Sequence, residues 1–222
     1  MLNGVIFDFN GTLFFDSDYH FEVFNQLKQE LTGKELTMKE MESTYAGKPN
    51  VEIFSLMSGG KLTKEECEQY SKRKEAMYRQ LVKDSEDAHL CNGAVELFDL
   101  LKENNIPFTI ASASIKENID FFVETFHLDK WIDPNNIIYD DGSYKNKVAM
   151  FQDAMKVLNV KDHVLIFEDS LSGITCGNEV GAQLIVIDRD TLRPYYKQFP
   201  CIIQSVKDLK QAIPTVRKMI ND

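Results

Sequence analysis

Residues 5–13 read "VIFDFNGTL". The apolar run has the texture of a strand covered on both faces, as in a parallel sheet. It is expected to run over 5–9. Asp8 is out of place in such a strand unless the strand's end faces a site. Asn10-Gly11 is a common turn dipeptide and fits an abrupt stop. Three other runs share this texture: "FTIAS" (108–112), "VLIFED" (164–169) and "QLIVID" (183–188). Amphipathic helical patterns separate them at 94–104, 115–126 and 148–158. The second of these follows Ser114 with Glu117 three places on, the signature of a capping box. Strands alternating with helices predict an α/β fold with a parallel sheet, whose ligands bind at the carboxyl ends of the strands.

Residues 15–88 contain no comparable strand. "HFEVFNQLKQEL" (20–31) and "TMKEMESTY" (37–45) read as helices. Thr63 with Glu66 forms a second capping-box pattern ahead of a long helix through 65–82. The expected organisation is therefore an α/β core made of 1–14 and 91–222, with a helical domain, 15–90, inserted after the first strand. Such an insert can act as a lid.

The 222 residues suffice for one large domain or a core with an insert, and an apolar content of 43% is ordinary for a globular protein. No apolar run approaches the roughly 20 residues of a membrane span. The N-terminus enters a strand pattern without a charged lead, so no signal peptide is expected. Cys67, Cys91, Cys176 and Cys201 are scattered, which reads as free thiols in a reducing cytoplasm. A net charge of −10 repels nucleic acid and acidic membranes, so neither is an expected partner. An anionic substrate would need local lysines.

Polar groups gather where the strands are expected to end: Asp8 on the first, Ser112 on the second, Glu168 and Asp169 on the third, with Lys145 in the loop "DGSYKNK" between the latter two. Singly each has an ordinary explanation as a cap, a turn residue or a solvated lysine. Jointly, at one edge of a parallel sheet, they suit phosphoryl transfer. A carboxylate can attack phosphorus and hold a covalent phosphate. An acidic pair can bind Mg²⁺, which prefers hard oxygen ligands. A hydroxyl, helix N-terminal amides and a lysine can neutralise phosphoryl oxygens.

In this order the residues resemble the haloacid dehalogenase superfamily. "DFNGTL" is similar to its first motif, "IASAS" to its second, Lys145 to its third and "FEDSLSG" to its fourth. Within the superfamily the chain most resembles the β-phosphoglucomutase-like group, through "YHFEVF" (19–24), "SKRKEAMY" (71–78) and "ASASIKEN" (111–118). The resemblance implies a Rossmann-like core with a helical cap, and a Mg²⁺-dependent phosphatase or phosphomutase acting on a small phosphorylated metabolite as a monomer. It further implies that Asp8 is the nucleophile and a metal ligand, and that Asn10 lends the metal its backbone carbonyl. Asp169 with Glu168 would complete the metal site. Ser112, Ala113 and Lys145 would hold the phosphate. His20 is an alternative acid/base or a packing residue, and Lys74 a phosphate contact from the cap.

Three departures stand out. Asn10 replaces the family's second aspartate, whose side chain is the general acid/base. The third motif reads "KNKVAMF", so Lys147 rivals Lys145, with the register favouring Lys145. The loop "YAGKPN" (45–50) keeps Gly47 but lacks the mutase arginine, which weakens a β-glucose 1-phosphate assignment. An amide exchanges no proton near neutral pH. Asn10 therefore also admits a phosphate-ligand binding or regulatory protein with impaired turnover.

Overall fold

The computed structural model describes residues 2–222. Its chain divides into two units, one formed by the residues up to Phe15 together with His89–Asp222, the other by Asp16–Ala88.

The first unit is built on a six-stranded, all-parallel sheet in the order β3-β2-β1-β4-β5-β6. The strands are β1 Gly4–Phe7, β2 Phe108–Ser112, β3 Ile138–Tyr139, β4 Val164–Glu168, β5 Gln183–Ile187 and β6 Ile202–Val206. Successive side chains point to opposite faces, so a strand apolar at every position must be covered on both. On one face Ile6, Ala111, Ile166, Leu184 and Val186 share a buried cluster with Phe151 and Ala154 of α7 (Lys147–Val157) and Ile174 of α8 (Leu171–Glu179). Phe7 points the other way. Its ring stacks on Phe167 at 4.8 Å and meets Phe98 of α5 (Ala94–Glu103) edge-on at 5.3 Å. The strands that the apolar runs missed, β3 and β6, are the two edges of the sheet. β3 has two half-buried residues, and β6 alternates half-buried with exposed before ending on buried Val206. An edge strand has less surface to bury, so its apolar signal is diluted.

Strand order sets the position of the site. From β1 the sheet grows to one side through β2 and β3, and to the other through β4, β5 and β6. In an open α/β sheet the crevice lies outside the carboxyl ends at the point where this reversal occurs. Here that point lies between β1 and β4.

The second unit is helical: α1 Ser17–Thr32, a single turn α2 Met38–Glu40 that runs into a π-helical turn Met41–Tyr45, α3 Asn50–Met57 and α4 Lys64–Asp84. α3 was not apparent in the sequence. The capping box at α4 forms: Thr63 Oγ accepts from Glu66 N at 3.2 Å, and Glu66 Oε2 accepts from Thr63 N at 2.7 Å. Phe24, Phe54 and Tyr70 pack this unit's interior, at 5.8 Å and 5.4 Å between successive rings. Among the described residues no helix is long and apolar enough to cross a membrane.

Phe7 is fully buried between a stacked and an edge-on ring, so Phe7→Ala removes those contacts and leaves a cavity at the root of Asp8. The expected cost is about 3–5 kcal/mol, read as a lower urea midpoint with an unchanged denaturant slope.

Candidate active site

In the parallel ladder Phe7 pairs with Phe167, so the next residue of each strand, Asp8 and Glu168, leaves the sheet side by side. Asp8 N still donates to Phe167 O at 3.0 Å, which fixes where its side chain starts. One carboxylate oxygen each from Asp8, Glu168 and Asp169 lies within 4.8 Å of the others. Asp8 is only 4% exposed and Glu168 not at all. Carboxylates this close and this dry require cations.

Two cations meet them. Lys147, in the first turn of α7, donates to Asp8 Oδ1 at 2.7 Å and also to Glu168 Oε1. Arg189, just past β5, donates through a terminal guanidinium nitrogen to Asp169 Oδ2. Burial raises Asp8 well above the usual carboxylate range; Lys147 pulls it down, and Glu168 and Asp169 push it up. For Lys147, burial opposes the charge, but the Asp8 and Glu168 carboxylates outweigh it and hold the ammonium above its ordinary value. Asp169 is pushed up to about 6, first by burial and then by Glu168, against Arg189 and Lys147.

Glu168 also ties down the loop into α8. Its Oε2 accepts from Asp169 N at 2.8 Å and from Ser170 N and Ser170 Oγ, each at 2.9 Å. Ser170 in turn caps α8 by accepting from Gly173 N at 3.0 Å, so the cap of "SLSG" is Ser170 and not Asp169. A Cβ on Gly173 would stand 1.8 Å from Glu168 Oε1, so only glycine leaves room for this carboxylate.

Gly11 plays a similar part across the site. Thr12, Leu13 and Phe14 all turn their N–H groups onto Phe9 O, at 3.2, 2.8 and 3.0 Å, and the chain closes that turn with Gly11 at φ +77°. This is the left-handed region that glycine alone enters freely. A Cβ there would also stand 2.2 Å from Asp169 Oδ2.

The Asn10 side chain is fixed through Oδ1, which accepts from Ser114 Oγ at 2.6 Å and from Ser112 Oγ at 3.4 Å. The capping box expected at Ser114 does not form. α6 (Lys116–Phe126) starts one residue later, with Ile115 at its N-cap and no side-chain cap bond. The hydroxyl that would have capped the helix is turned to Asn10 instead, because tertiary contact offers it an amide acceptor at shorter range.

Sequence register favoured Lys145 as the lysine of the site, and the structure corrects this. Lys145 is exposed, whereas Lys147 carries the bonds to Asp8 and Glu168. Asn146 N-caps α7 by accepting from Val148 N, so Lys147 is the first residue on the helix and rides its end toward the sheet edge. Ser112 is buried at the end of β2, and Ala113 is exposed beside it.

His20 and Lys74 belong to the helical unit and meet there. His20 Nδ1 lies 2.8 Å from Lys74 Nζ, and His20 Nε2 lies 3.1 Å from Asp16 Oδ2. An ammonium only donates, so Nδ1 accepts and Nε2 carries the proton toward Asp16. The His20 ring stacks on Tyr78 at 4.1 Å, and Tyr78 donates to Asp16 Oδ2 at 2.6 Å. Lys74 is 2% exposed, also donates to Glu75 Oε1 at 2.9 Å, and stands over the Phe24 and Tyr78 rings at 5.1 and 5.3 Å. Burial lowers its pKa against the pull of Glu75 and Asp16. Lys74 was expected as a phosphate contact, yet its ammonium is spent on these internal partners.

Arg189 was missed in the sequence. The signal was available in "QLIVIDRD", where a charged residue follows an apolar run as it does on the other strands.

Removing Lys147 strands two buried carboxylates. Lys147→Met should cost about 3–5 kcal/mol near neutral pH. The ammonium's folded pKa is raised, so in the parent protein its stabilisation is complete below the unfolded value of about 10.4 and fades only at higher pH. In the variant, Asp8, whose carboxyl burial already raises, loses the cation that favours its charged form and takes up a proton more readily as the pH falls. Chemical denaturation should therefore show the deficit shrinking as the pH is lowered. A constant deficit would mean that Lys147 acts through packing alone.

A family model described as haloacid dehalogenase-like hydrolase matches residues 5–187. Among solved structures, the chain is 30% identical to a HAD hydrolase, family IA, variant 3, from Entamoeba histolytica HM-1:IMSS, over 100% of both chains with a TM-score of 0.89. It is 22% identical to β-phosphoglucomutase from Clostridium difficile, over 100% of this chain and 98% of that one, with a TM-score of 0.75. It is 18% identical to an aspartate-to-asparagine variant of CbbY from Rhodobacter sphaeroides in complex with xylulose-(1,5)bisphosphate, over 95% and 96% of the two chains, with a TM-score of 0.74. At these lower identities the last two show a common fold.

Proposed function

The chain belongs to the haloacid dehalogenase-like hydrolase family, and from that premise we propose that it is a Mg²⁺-dependent phosphatase or phosphomutase of a small phosphorylated metabolite, working through an aspartyl-phosphate on Asp8. The observation that carries this reading is Asp8 itself: a buried carboxylate at the sheet's reversal point, held by Lys147 and flanked by two further carboxylates. An acid trio with two members buried, met by two cations, is a costly arrangement for structure alone.

The donor set fits magnesium. The three carboxylates offer hard oxygens close together, and Gly11 leaves room for Asp169 beside the first loop. Asp8 and Asp169 would hold the ion, with the Asn10 carbonyl. Glu168, whose oxygens already hold Lys147 and the Asp169–Ser170 backbone, serves as the scaffold. Bound Mg²⁺ would supply positive charge to the phosphoryl oxygens. In the transfer, an Asp8 carboxylate oxygen forms a bond to phosphorus while the bond from phosphorus to the leaving oxygen breaks. Lys147 favours the anionic form of Asp8 against its burial and offsets the phosphoryl charge, and the Ser112 hydroxyl donates to a phosphoryl oxygen.

Asn10 limits this chemistry. Its amide cannot protonate the leaving oxygen or deprotonate water. Substrates with good leaving groups, such as acyl or aryl phosphates, would then label Asp8 more readily than alkyl phosphates, and the phosphoenzyme would persist. The amide also favours a second reading, a phosphate-ligand binding or regulatory protein. Asn10→Asp decides between them. With an alkyl phosphate, hydrolysis should rise by about 10²–10⁴-fold. Intact-mass analysis must exclude deamidation at Asn10-Gly11, since a trace of aspartate would mimic parent activity. If no phosphate ester labels Asp8 in either form, the enzyme reading falls and the binding reading stands.

The metal assignment has its own measurement. Asp169→Ala should abolish most Mg²⁺ binding in calorimetry. In the parent protein, affinity should fall as the pH drops below about 6, where Asp169 takes up the proton that competes with the ion. Unchanged affinity in Asp169→Ala would remove Asp169 from the site.

A further inference from the structure

We propose that Arg189 is a built-in competitor of the divalent cation for Asp169, a positioning residue that balances the metal-free site and holds the metal's affinity down. The proposal rests on the magnesium reading above.

Asp8, Glu168 and Asp169 bring three carboxylates together. Lys147 meets two of them, Asp8 and Glu168, and cannot be spared from either. Asp169 would be left uncompensated, and Arg189 takes that place by donating to Asp169 Oδ2. Burial and Glu168 act to protonate Asp169, while Arg189 acts to keep it ionised. The carboxylate is thus ready for a cation, but one is already on it.

The geometry marks the contact as built and not incidental. The Asp169 Oδ2–Arg189 pair lies against Gly11, where a Cβ would stand 2.2 Å from the oxygen and 2.6 Å from the guanidinium nitrogen. The backbone beneath Arg189 is anchored: its carbonyl accepts from Leu192 N at 2.9 Å and Arg193 N at 3.2 Å, and its N–H reaches the Tyr196 hydroxyl at 3.4 Å. Next to it, Arg193 closes on Asp188 with Nε at 2.8 Å from Oδ1. The fixed loop carries a guanidinium on a long stem whose side chain is 36% exposed, against 12% for Lys147. Of the two cations, Arg189 is the one with room to move.

Two effects then weaken metal binding. A guanidinium on Oδ2 withdraws charge from the ligand that the ion needs. It also places a positive charge beside a second, doubly positive one, at a distance where they repel. Binding of the ion must loosen the Arg189–Asp169 pair, and the pair must re-form on release. A neutral partner would orient Asp169 without either cost, and its loss would weaken binding. The sign of the change on neutralising Arg189 therefore separates competition from orientation.

The test is calorimetric titration of Mg²⁺ into the full chain near pH 8, comparing the parent with Arg189→Gln, Arg189→Lys and Asp169→Ala. Competition predicts that Arg189→Gln binds Mg²⁺ roughly tenfold tighter or more, and that Arg189→Lys, which keeps the charge, stays nearer the parent. The Arg189→Gln melting temperature should drop in EDTA and recover in saturating Mg²⁺. A second readout needs no neutral variant. In the parent, Mg²⁺ should shift the Arg189 Nε–H resonance, assigned by its loss in Arg189→Lys, and the shift should be absent in Asp169→Ala. Weaker or unchanged Mg²⁺ binding in Arg189→Gln, or an Arg189 resonance indifferent to Mg²⁺, would overturn the proposal. If the parent binds no Mg²⁺ at all, the fault lies with the metal reading, which that result identifies separately.

Discussion

The Lys147 ammonium sits between two carboxylates that the sheet register forces together, and the rest of the site depends on that contact. Parallel pairing of Phe7 with Phe167 gives Asp8 and Glu168 no choice but to emerge as neighbours. Without a cation their mutual repulsion and lost hydration would oppose burial. Lys147 removes that cost for both at once, and in doing so joins α7 to β1 and β4. Glu168 passes the constraint on, because the oxygen that Lys147 leaves free holds the turn into α8. One ammonium therefore sets the positions of a helix start, a loop and the Asp8 carboxylate.

The two glycines next to this network show how little space it leaves. Gly173 makes room for Glu168 and Gly11 makes room for Asp169, and in both cases a single carbon would collide with a carboxylate oxygen. Carboxylates packed against bare backbone keep few degrees of freedom. Such rigidity would suit the proposed phosphoryl transfer, which relies on positioning and charge compensation. Asn10 fits the same frame. Two serine hydroxyls hold its amide oxygen, so the residue is ordered even though it cannot exchange a proton. Under the proposed function the site would have its charge compensation in place but lack an acid/base at position 10.

Much of this was legible in the chain itself. The sheet core was readable because β1, β2, β4 and β5 are buried over most of their length and so carry nearly continuous apolar runs. The capping box at Thr63 was readable because its bonds join residues three apart. The identities of Asp8, Asn10, Ser112 and Asp169 as edge residues followed from the same apolar runs. The edge strands β3 and β6, the short helix α3 and the Arg189 contact were not seen. The first two have little buried surface to advertise themselves, and the last joins two loops twenty residues apart.

The sequence by itself determined the α/β class, the helical insertion and the residue types available for chemistry, because these rest on local periodicity and on which side chains end each strand. Only the tertiary structure decided between Lys145 and Lys147, since the two stand two residues apart and the choice depends on where α7 begins relative to β1. It also turned Ser114 from a helix cap into a partner of Asn10, and gave Lys74 to His20 and Glu75. The physical reason is common to all three. A polar side chain goes to the partner that best offsets its desolvation, and for Ser114 with Asn10, Lys147 with Asp8 and Lys74 with His20 that partner is distant in sequence, where spacing carries no information.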